Sequence, residues 1–455
     1  MVEHGTENAG VTGSNPVLGT IFSMNTSLPA FRLRPALGWV LVGALAVRLI
    51  AIAAVGPDRL DFGDARDYRA FAAAICAGEG YPERGNLPFF RAPGLPFFVA
   101  LATGCETATR IAWAKIALAV VDTLDVALIF LLARLFALGR RLALAVAAAA
   151  ALHPLFVAQV TDLRSEPLAM ALTTLSLVLL LRYRTNRGLG ILLASGAALG
   201  FAALVRPPSL VGLVAWVLFV WIDSAGAPVR VRALRVAVVG LGLALVVLPW
   251  TARNWARFGE WMLINDAAGY NFWRSTLPEL DRLLATSDPD EFERSAVYLE
   301  GELTERVARE AVRAAATPGA RERWYWKRGF EQIGTDPGRW ARLLWRDVSD
   351  FWRPWLDPVA RGRWMALASG FLFVPLFLLA ARGLLRLRSE DPSLALLVIV
   401  FFLVITVAHS PFQAIVRYRL PLAEPLLMVL AARGALRRPT PGTSFAVTDP
   451  ARSGG

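Results

Sequence analysis

The sequence predicts an all-α, polytopic membrane protein with about ten transmembrane helices, juxtamembrane helices on the outer face and a small helical outer segment. Three observations carry that expectation. Of the 455 residues, 56% are hydrophobic and the mean hydropathy is +0.48, too apolar for a water-soluble chain. The apolar residues gather in runs of roughly 17–25, the length that crosses about 30 Å of hydrocarbon. Arginines cluster at alternate ends of those runs, the asymmetry that sets topology.

Taken in order, residues 1–30 are rich in Gly, Ser, Asn and Thr and read as a disordered cytoplasmic tail. They lack the charged-then-apolar pattern of a cleaved signal peptide, and Arg32 and Arg34 place this end inside. Spans are expected at 36–56, 112–137, 141–160, 166–182, 188–205, 209–222, 236–250, 363–385, 393–409 and 420–433. Every even crossing ends on a basic cluster, from Arg140 and Arg141 through Arg182 and Arg184, Arg230 and Arg232, and Arg386 and Arg388 to Arg437 and Arg438. Pro93 to Gly104 is apolar but too short to cross, which predicts a helix in the outer interface.

The stretch 251–362 alternates charge with aromatics, among them Trp324, Trp326, Trp340, Trp345, Trp352 and Trp355. Such rings favour the headgroup level, so this is read as an outer-face helical segment resting on the membrane. Within it, Glu300 to Ala316 reads as a helix closed by Pro318-Gly319. The chain thus divides into a membrane module at 31–250 with its outer loop at 57–111, the outer segment 251–362, further spans at 363–433, and a second disordered cytoplasmic tail at 434–455.

The net charge of +12 is carried almost wholly by Arg and matches a topology signal; no nucleic-acid-binding motif accompanies it. His4, His153 and His409 are scattered without metal-ligand spacing, so no metal is expected. Cys76 and Cys105 can form one disulfide if both face an oxidising compartment.

The informative charges are those the topology rule leaves over. Asp61, Asp64 and Asp67 crowd into the first outer loop, just after the first span, with Tyr68 beside them. Arg91, Arg164, Arg206, Arg417 and Arg419 sit at outer positions, each beside proline or a carboxylate. Guanidinium holds phosphate oxygens bidentately, so their convergence would make a site for a lipid-linked phosphate. The competing reading is snorkelling to headgroups or local pairing. Asp162 and Glu166 lie one helical turn apart and face the same way. Asp122 and Asp125 fall inside the second span, where an ionised side chain needs a partner, and a structural salt bridge is expected there. One carboxylate base plus several fixed cations suits transfer from a phosphate-linked donor, because a phosphate leaves without an acid to protonate it. Glycoside hydrolysis requires an acid as well.

These pieces resemble the GT-C superfamily of membrane glycosyltransferases, and within it the bacterial branch related to protein O-mannosyltransferases and lipid A aminoarabinose transferases. The matching elements are Gly63-Asp64 with Tyr68, Gly78-Glu-Gly80-Tyr81, Arg91-Ala-Pro-Gly-Leu-Pro96, Ser165-Glu166-Pro167-Leu168, Leu204-Val-Arg206-Pro207, Pro249-Trp250-Thr-Ala-Arg253-Asn254 with Phe258-Gly259, and Arg417-Tyr418-Arg419-Leu-Pro421. They keep the family's order and cover most of 37–433.

The resemblance implies a catalytic Asp at Asp64, with Asp61 and Asp67 as alternatives, and a second acidic motif at Asp162 and Glu166. It implies donor-phosphate binding by Arg91, which stands where the aminoarabinose branch has a Lys-Pro-Pro-like element; Arg206, Arg417 and Arg419 join it as candidates from the outer-arginine reading. It implies no catalytic metal or cofactor. The expected partners are a polyprenyl-phosphate-linked sugar donor, a glycan, lipid or protein acceptor, and membrane lipids, with no nucleic acid. The expected activity is inverting sugar transfer at the outer face of a bacterial cytoplasmic membrane. A flippase or a polymerase of lipid-linked saccharides is the rival reading.

Overall fold

The computed structural model describes residues 35–436 other than 62, 83–90 and 413. The tail at 1–30, Arg32, Arg34, Arg437, Arg438 and the tail beyond 436 lie outside the described residues. Among the described residues there is no β-strand. The chain is a multi-pass membrane protein built of helices.

Helix α1 (Pro35–Val55) is the first span. Two short helices follow, α2 (Gly63–Cys76) and α3 (Gly94–Thr103), and a Cys76–Cys105 disulfide ties their ends together. Then come α4 (Ile111–Leu135), α5 (Arg140–Ala151), α6 (Pro154–Val160), α7 (Glu166–Arg182) and α8 (Leu189–Val205). A 3₁₀ turn at Pro207–Val211 leads into α9 (Gly212–Asp223), and α10 (Val229–Phe258) runs 30 residues.

The segment read from the sequence as outer holds α11 (Ala267–Ser275), α12 (Pro278–Ala285), α13 (Pro289–Tyr298), α14 (Thr304–Ala314), α15 (Pro318–Thr335), α16 (Pro337–Trp352) and α17 (Pro358–Arg361). The last three are α18 (Arg363–Glu390), α19 (Pro392–His409) and α20 (Val416–Ala435).

All ten expected spans are helices, and five of them (α1, α4, α10, α18 and α19) are long and apolar enough to cross a membrane on their own. Three boundaries differ from expectation. The span read at 141–160 bends by 48° where α5 meets α6, because Pro154 has no N–H to continue the ladder. The span read at 236–250 extends as α10 to Phe258, carrying the Pro249-Trp250 motif beyond its apolar stretch. In the outer segment, a π-turn at Leu299–Leu303 precedes α14, and Pro318 opens α15 rather than only closing a helix.

Close backbone approach fixes the packing. A Cβ on Gly196 of α8 would meet Val239 O of α10 at 2.0 Å, and one on Gly242 would meet Leu193 O at 2.1 Å. One large apolar core joins α1, α4, α5, α7–α10 and α18–α20, a second lies under α2 and α3, and a third fills the outer segment around Tyr270, Trp273, Leu280 and Tyr325.

Of the two carboxylates of α4 expected in a salt bridge, Asp122 is ion-paired and Asp125 is in no ion pair among the described residues. Arg48 of α1 donates to Asp122 of α4 at 2.5 Å, the salt bridge expected there, and to the Ala151 carbonyl at 2.9 Å. Asp125, one turn on, is wholly buried.

Candidate active site

The loop before α2 is shaped from below. Lys115, fully buried at the start of α4, donates to the carbonyls of Gly56 at 3.0 Å and Arg59 at 2.6 Å. This sets the entry of α2, whose first turn carries Asp64 near the positive end of the helix dipole. Asp64, Asp67 and Tyr68 are spaced by three and four residues and share one face of α2.

Arg91 approaches from the opposite side. Its carbonyl accepts from the Tyr81 hydroxyl at 2.7 Å. The chain from Arg91 runs through Pro93 into α3, where Gly94 packs so tightly on α8 that a Cβ would meet Val205 at 2.6 Å. That contact sets Arg91 beside the end of α8. Arg206 caps α8 in an extended conformation, φ −140°, as the Pro207 that follows it demands. Glu166 opens α7 ahead of Pro167, and Arg417 lies in the first turn of α20.

These five places in the chain converge on a continuous run of ion pairs. Arg91 Nη2 meets Asp64 Oδ1 at 2.5 Å and Asp67 Oδ2 at 3.0 Å. Arg417 Nη2 reaches Asp64 Oδ2 at 3.5 Å while its Nε donates to Glu166 Oε1. Arg206 Nη1 donates to the same Glu166 oxygen at 2.8 Å and to Ser165 Oγ at 3.1 Å. The Arg206 guanidinium also stacks 5.2 Å from the Tyr418 ring. Glu166 is at the floor, its side chain 2% exposed, whereas Asp64 at 26% is the most open of the six charged groups.

Electrostatically the site is three arginines against three carboxylates, held where water is scarce. A guanidinium carries five N–H donors, more than the carboxylate oxygens facing it use. Arginines anchored on one side by acids are therefore pre-set to take anionic oxygens on the other. Glu166 locks two of them through a single oxygen. Arg164, in the turn between α6 and α7, lies in the field of Arg417 and Glu166, donates to Gln159 Oε1 at 3.4 Å, and is pushed below its usual value by burial and by Arg417. Among the described residues no group of three or more His, Cys, Asp or Glu is placed to hold a metal ion.

The other expected site residues lie elsewhere. Asp61 is exposed and pairs with Arg59 at 2.5 Å, because it precedes α2 and points away from that helix's inner face. Arg419 is fully buried and donates to Glu424 Oε2 at 3.0 Å and to the carbonyls of Phe351 and Arg353. Two residues along a helix is about 200° of rotation, so Arg417 and Arg419 leave α20 in nearly opposite directions. Asp162 is buried beside the site, its Oδ1 accepting from the Leu163 amide at 2.8 Å. Tyr68 and Ser165 stand inside the ion-pair run although the sequence reading gave them no role. The four-residue spacing from Asp64 to Tyr68 is the signal that placed Tyr68 there.

Residues 91–251 match the family model of dolichyl-phosphate-mannose-protein mannosyltransferase. No curated protein matches the chain. The fold is similar to the oligosaccharyltransferase AglB from Archaeoglobus fulgidus in complex with an inhibitory peptide and a dolichol-phosphate, with TM-score 0.52, 15% identity, and coverage of 88% of this chain and 50% of that one. The apo form of the A. fulgidus oligosaccharyltransferase gives TM-score 0.51 at 14% identity over the same shares. This chain thus spans about half the length of those enzymes. ArnT from Cupriavidus metallidurans bound to undecaprenyl phosphate matches with TM-score 0.40 and 18% identity, covering 83% of this chain and 78% of that one. The fold is thus similar to that of the archaeal oligosaccharyltransferase, in keeping with the fold that the sequence resemblance implied.

Proposed function

We propose that this protein is an inverting glycosyltransferase that moves a sugar from a polyprenyl-phosphate donor to an acceptor hydroxyl. The observation that carries the reading is the convergence of Arg91, Arg206 and Arg417 on the half-buried Asp64 and on Glu166. The family match over 91–251 and the dolichol-phosphate held by the fold's archaeal relative support the donor class.

In this reading Asp64 removes the proton of the acceptor hydroxyl. The oxygen attacks the anomeric carbon as the bond from that carbon to the phosphate oxygen breaks, and the electron pair leaves with the polyprenyl phosphate. The developing charge on phosphate is met by Arg91, Arg206 and Arg417, preorganised by Asp67 and Glu166. Displacement from the opposite face in one step inverts the anomeric centre. Asp64 is favoured over Asp67 as the base by its greater openness.

The Cys76–Cys105 disulfide supports an oxidising, outer-face setting for α2 and α3, and with it for the site. The acceptor is a glycan, lipid or protein hydroxyl. The flippase reading is weakened by the pairing of Asp122 with Arg48, which leaves that midplane carboxylate without a cargo role.

Binding of polyprenyl phosphate to purified protein tests the site. Arg206→Ala and Arg417→Ala each weaken binding by about 10-fold or more, and added salt weakens it for wild type. Wild-type affinity in both variants would remove the donor site from this place.

A further inference from the structure

The helix that carries the site's aspartates and the helix that Arg91 leads into run side by side in the same direction. At their N-terminal ends Arg91, just ahead of α3, meets Asp64 at 2.5 Å and Asp67 at 3.0 Å in the first turns of α2. At their C-terminal ends Cys76, the last residue of α2, is bonded to Cys105 just past α3, with Cα atoms 5.4 Å apart. From Asp64 to Cys76 is about 18 Å of helix, so the two ties stand at opposite ends of the pair. Between them Ala65, Tyr68 and Ala72 of α2 share one apolar core with Leu95, Val99 and Ala100 of α3. The two helices answer to different frames. Gly94 seats α3 against Val205 at the end of α8, whereas Lys115 holds the chain that enters α2.

One tie is exchangeable and the other is not. A phosphate that takes donors from Arg91 competes for them with Asp64 and Asp67, so ligand binding itself loosens the ionic tie. The S–S bond is not open to that competition. We propose that the Cys76–Cys105 disulfide is a positioning element of the donor site: it keeps α2 in register with α3 while Arg91 trades carboxylate for phosphate, and so makes donor binding depend on the oxidation state of the two cysteines. This rests on the donor-site reading. Cys105 is exposed, which leaves the bond open to a small dithiol. Reduction passes two electrons and two protons from the dithiol to the S–S bond, giving two cysteine thiols and the dithiol's own disulfide. Cys105 also has φ +67°, a left-handed conformation that L side chains rarely adopt, so release of the bond favours relaxation of its turn.

The test measures polyprenyl phosphate affinity of the full chain before and after treatment with dithiothreitol. It compares wild type, Arg91→Ala, Arg206→Ala and the double variant Cys76→Ser with Cys105→Ser. Reduction weakens wild-type binding by about five- to tenfold. The double variant starts at the reduced affinity and does not respond to dithiothreitol. In Arg91→Ala the group being positioned is gone, so reduction changes affinity by less than about twofold. Arg206 is held by Glu166 and Ser165, away from α2 and α3, so Arg206→Ala keeps the full response. Loss of the bond lowers the melting temperature alike in wild type and Arg91→Ala, so the affinities separate positioning from stability. Equal affinity of oxidised and reduced wild type, or a loss in Arg91→Ala as large as in wild type, would overturn the positioning role while leaving the donor site intact. A wild-type chain that binds no polyprenyl phosphate in either state would overturn both.

Discussion

Arg417 and Arg419 leave the same first turn of α20, yet one belongs to an open assembly and the other to a sealed one. Around Arg417 the arginines and the two aspartates are 14–26% exposed, and each charge is shared among several partners. The Arg419 and Glu424 side chains themselves are 1% and 0% exposed. The Arg419 donors are committed to Glu424 and to the carbonyl end of α16, and its face rests on Phe377 at 4.7 Å. His153 lies 3.8 Å from Glu424 on the far side. Arg48 and Asp122 form a second sealed pair. The chemistry is guanidinium against carboxylate in every case. Exposure and committed donors decide whether the charge joins helices or waits for a ligand.

Breaking the sealed side should give the largest effect on folding. Arg419→Met leaves Glu424 buried without its cation and lowers stability by about 3–5 kcal/mol, read as a fall in melting temperature. Replacing both partners, Arg419→Met with Glu424→Met, restores part of that loss. No recovery in the double variant would mean that the cap on α16, rather than the charge pair, is what matters.

The open side should respond the other way round. Arg417→Met lowers sugar transfer by about 10²–10³-fold, the scale of losing a group that stabilises transition-state charge, with a melting temperature near wild type. A large stability loss with modest loss of transfer would erase the contrast between the two arginines.

A third arrangement sharpens the comparison because burial there outweighs the nearby Arg321 cation. In the outer segment, burial first and Glu322 second push Asp266 up to about 8, and burial pushes Glu322 up to about 7. Glu322 Oε1 accepts from Gly269 N at 2.7 Å and Trp326 Nε1 at 3.0 Å, while its buried Oε2 has no partner among the described residues. Both values lie above the roughly 4 of an unfolded chain, so the protonated forms favour the fold. Their contribution is full below about pH 4 and is lost as pH rises through 7–8. Amide exchange in α11 and α15, corrected for intrinsic rate, should be faster at about pH 8.5 than at about 5.5. Glu322→Gln removes part of that difference and leaves the part due to burial of Asp266; a flat wild-type profile would refute the assignment.

The smallest effect is expected at Asp61. Its pair with Arg59 is exposed on both sides, so Asp61→Asn changes stability by less than about 1 kcal/mol and transfer by less than about twofold. A transfer loss as large as that of Arg417→Met would return Asp61 to the site.

Much of this was legible in the sequence, for identifiable reasons. Hydropathy located apolar runs that the structure builds as helices, five of them long and apolar enough to cross a membrane on their own, because hydropathy is a local property of a run of residues. The leftover outer charges located Asp64, Asp67, Arg91, Glu166, Arg206 and Arg417, because a charge at an apolar boundary needs a reason. What stayed hidden depends on direction. Arg419 shares a motif with Arg417 and could be separated from it only by rotation about α20. Asp61 shares a loop with Asp64 and falls just outside α2. The contact of Ser165 with Arg206 required knowing that α7 and α8 meet.

The central claim is that Asp64 takes the acceptor's proton during sugar transfer. Purified wild type and Asp64→Asn, given radiolabelled polyprenyl-phosphate sugars and membrane extract as the acceptor source, test it directly. The account predicts transfer by wild type and a loss of about 10²-fold or more in the variant, with lipid binding retained in both. Equal transfer by the two proteins would contradict it and remove Asp64 as the base.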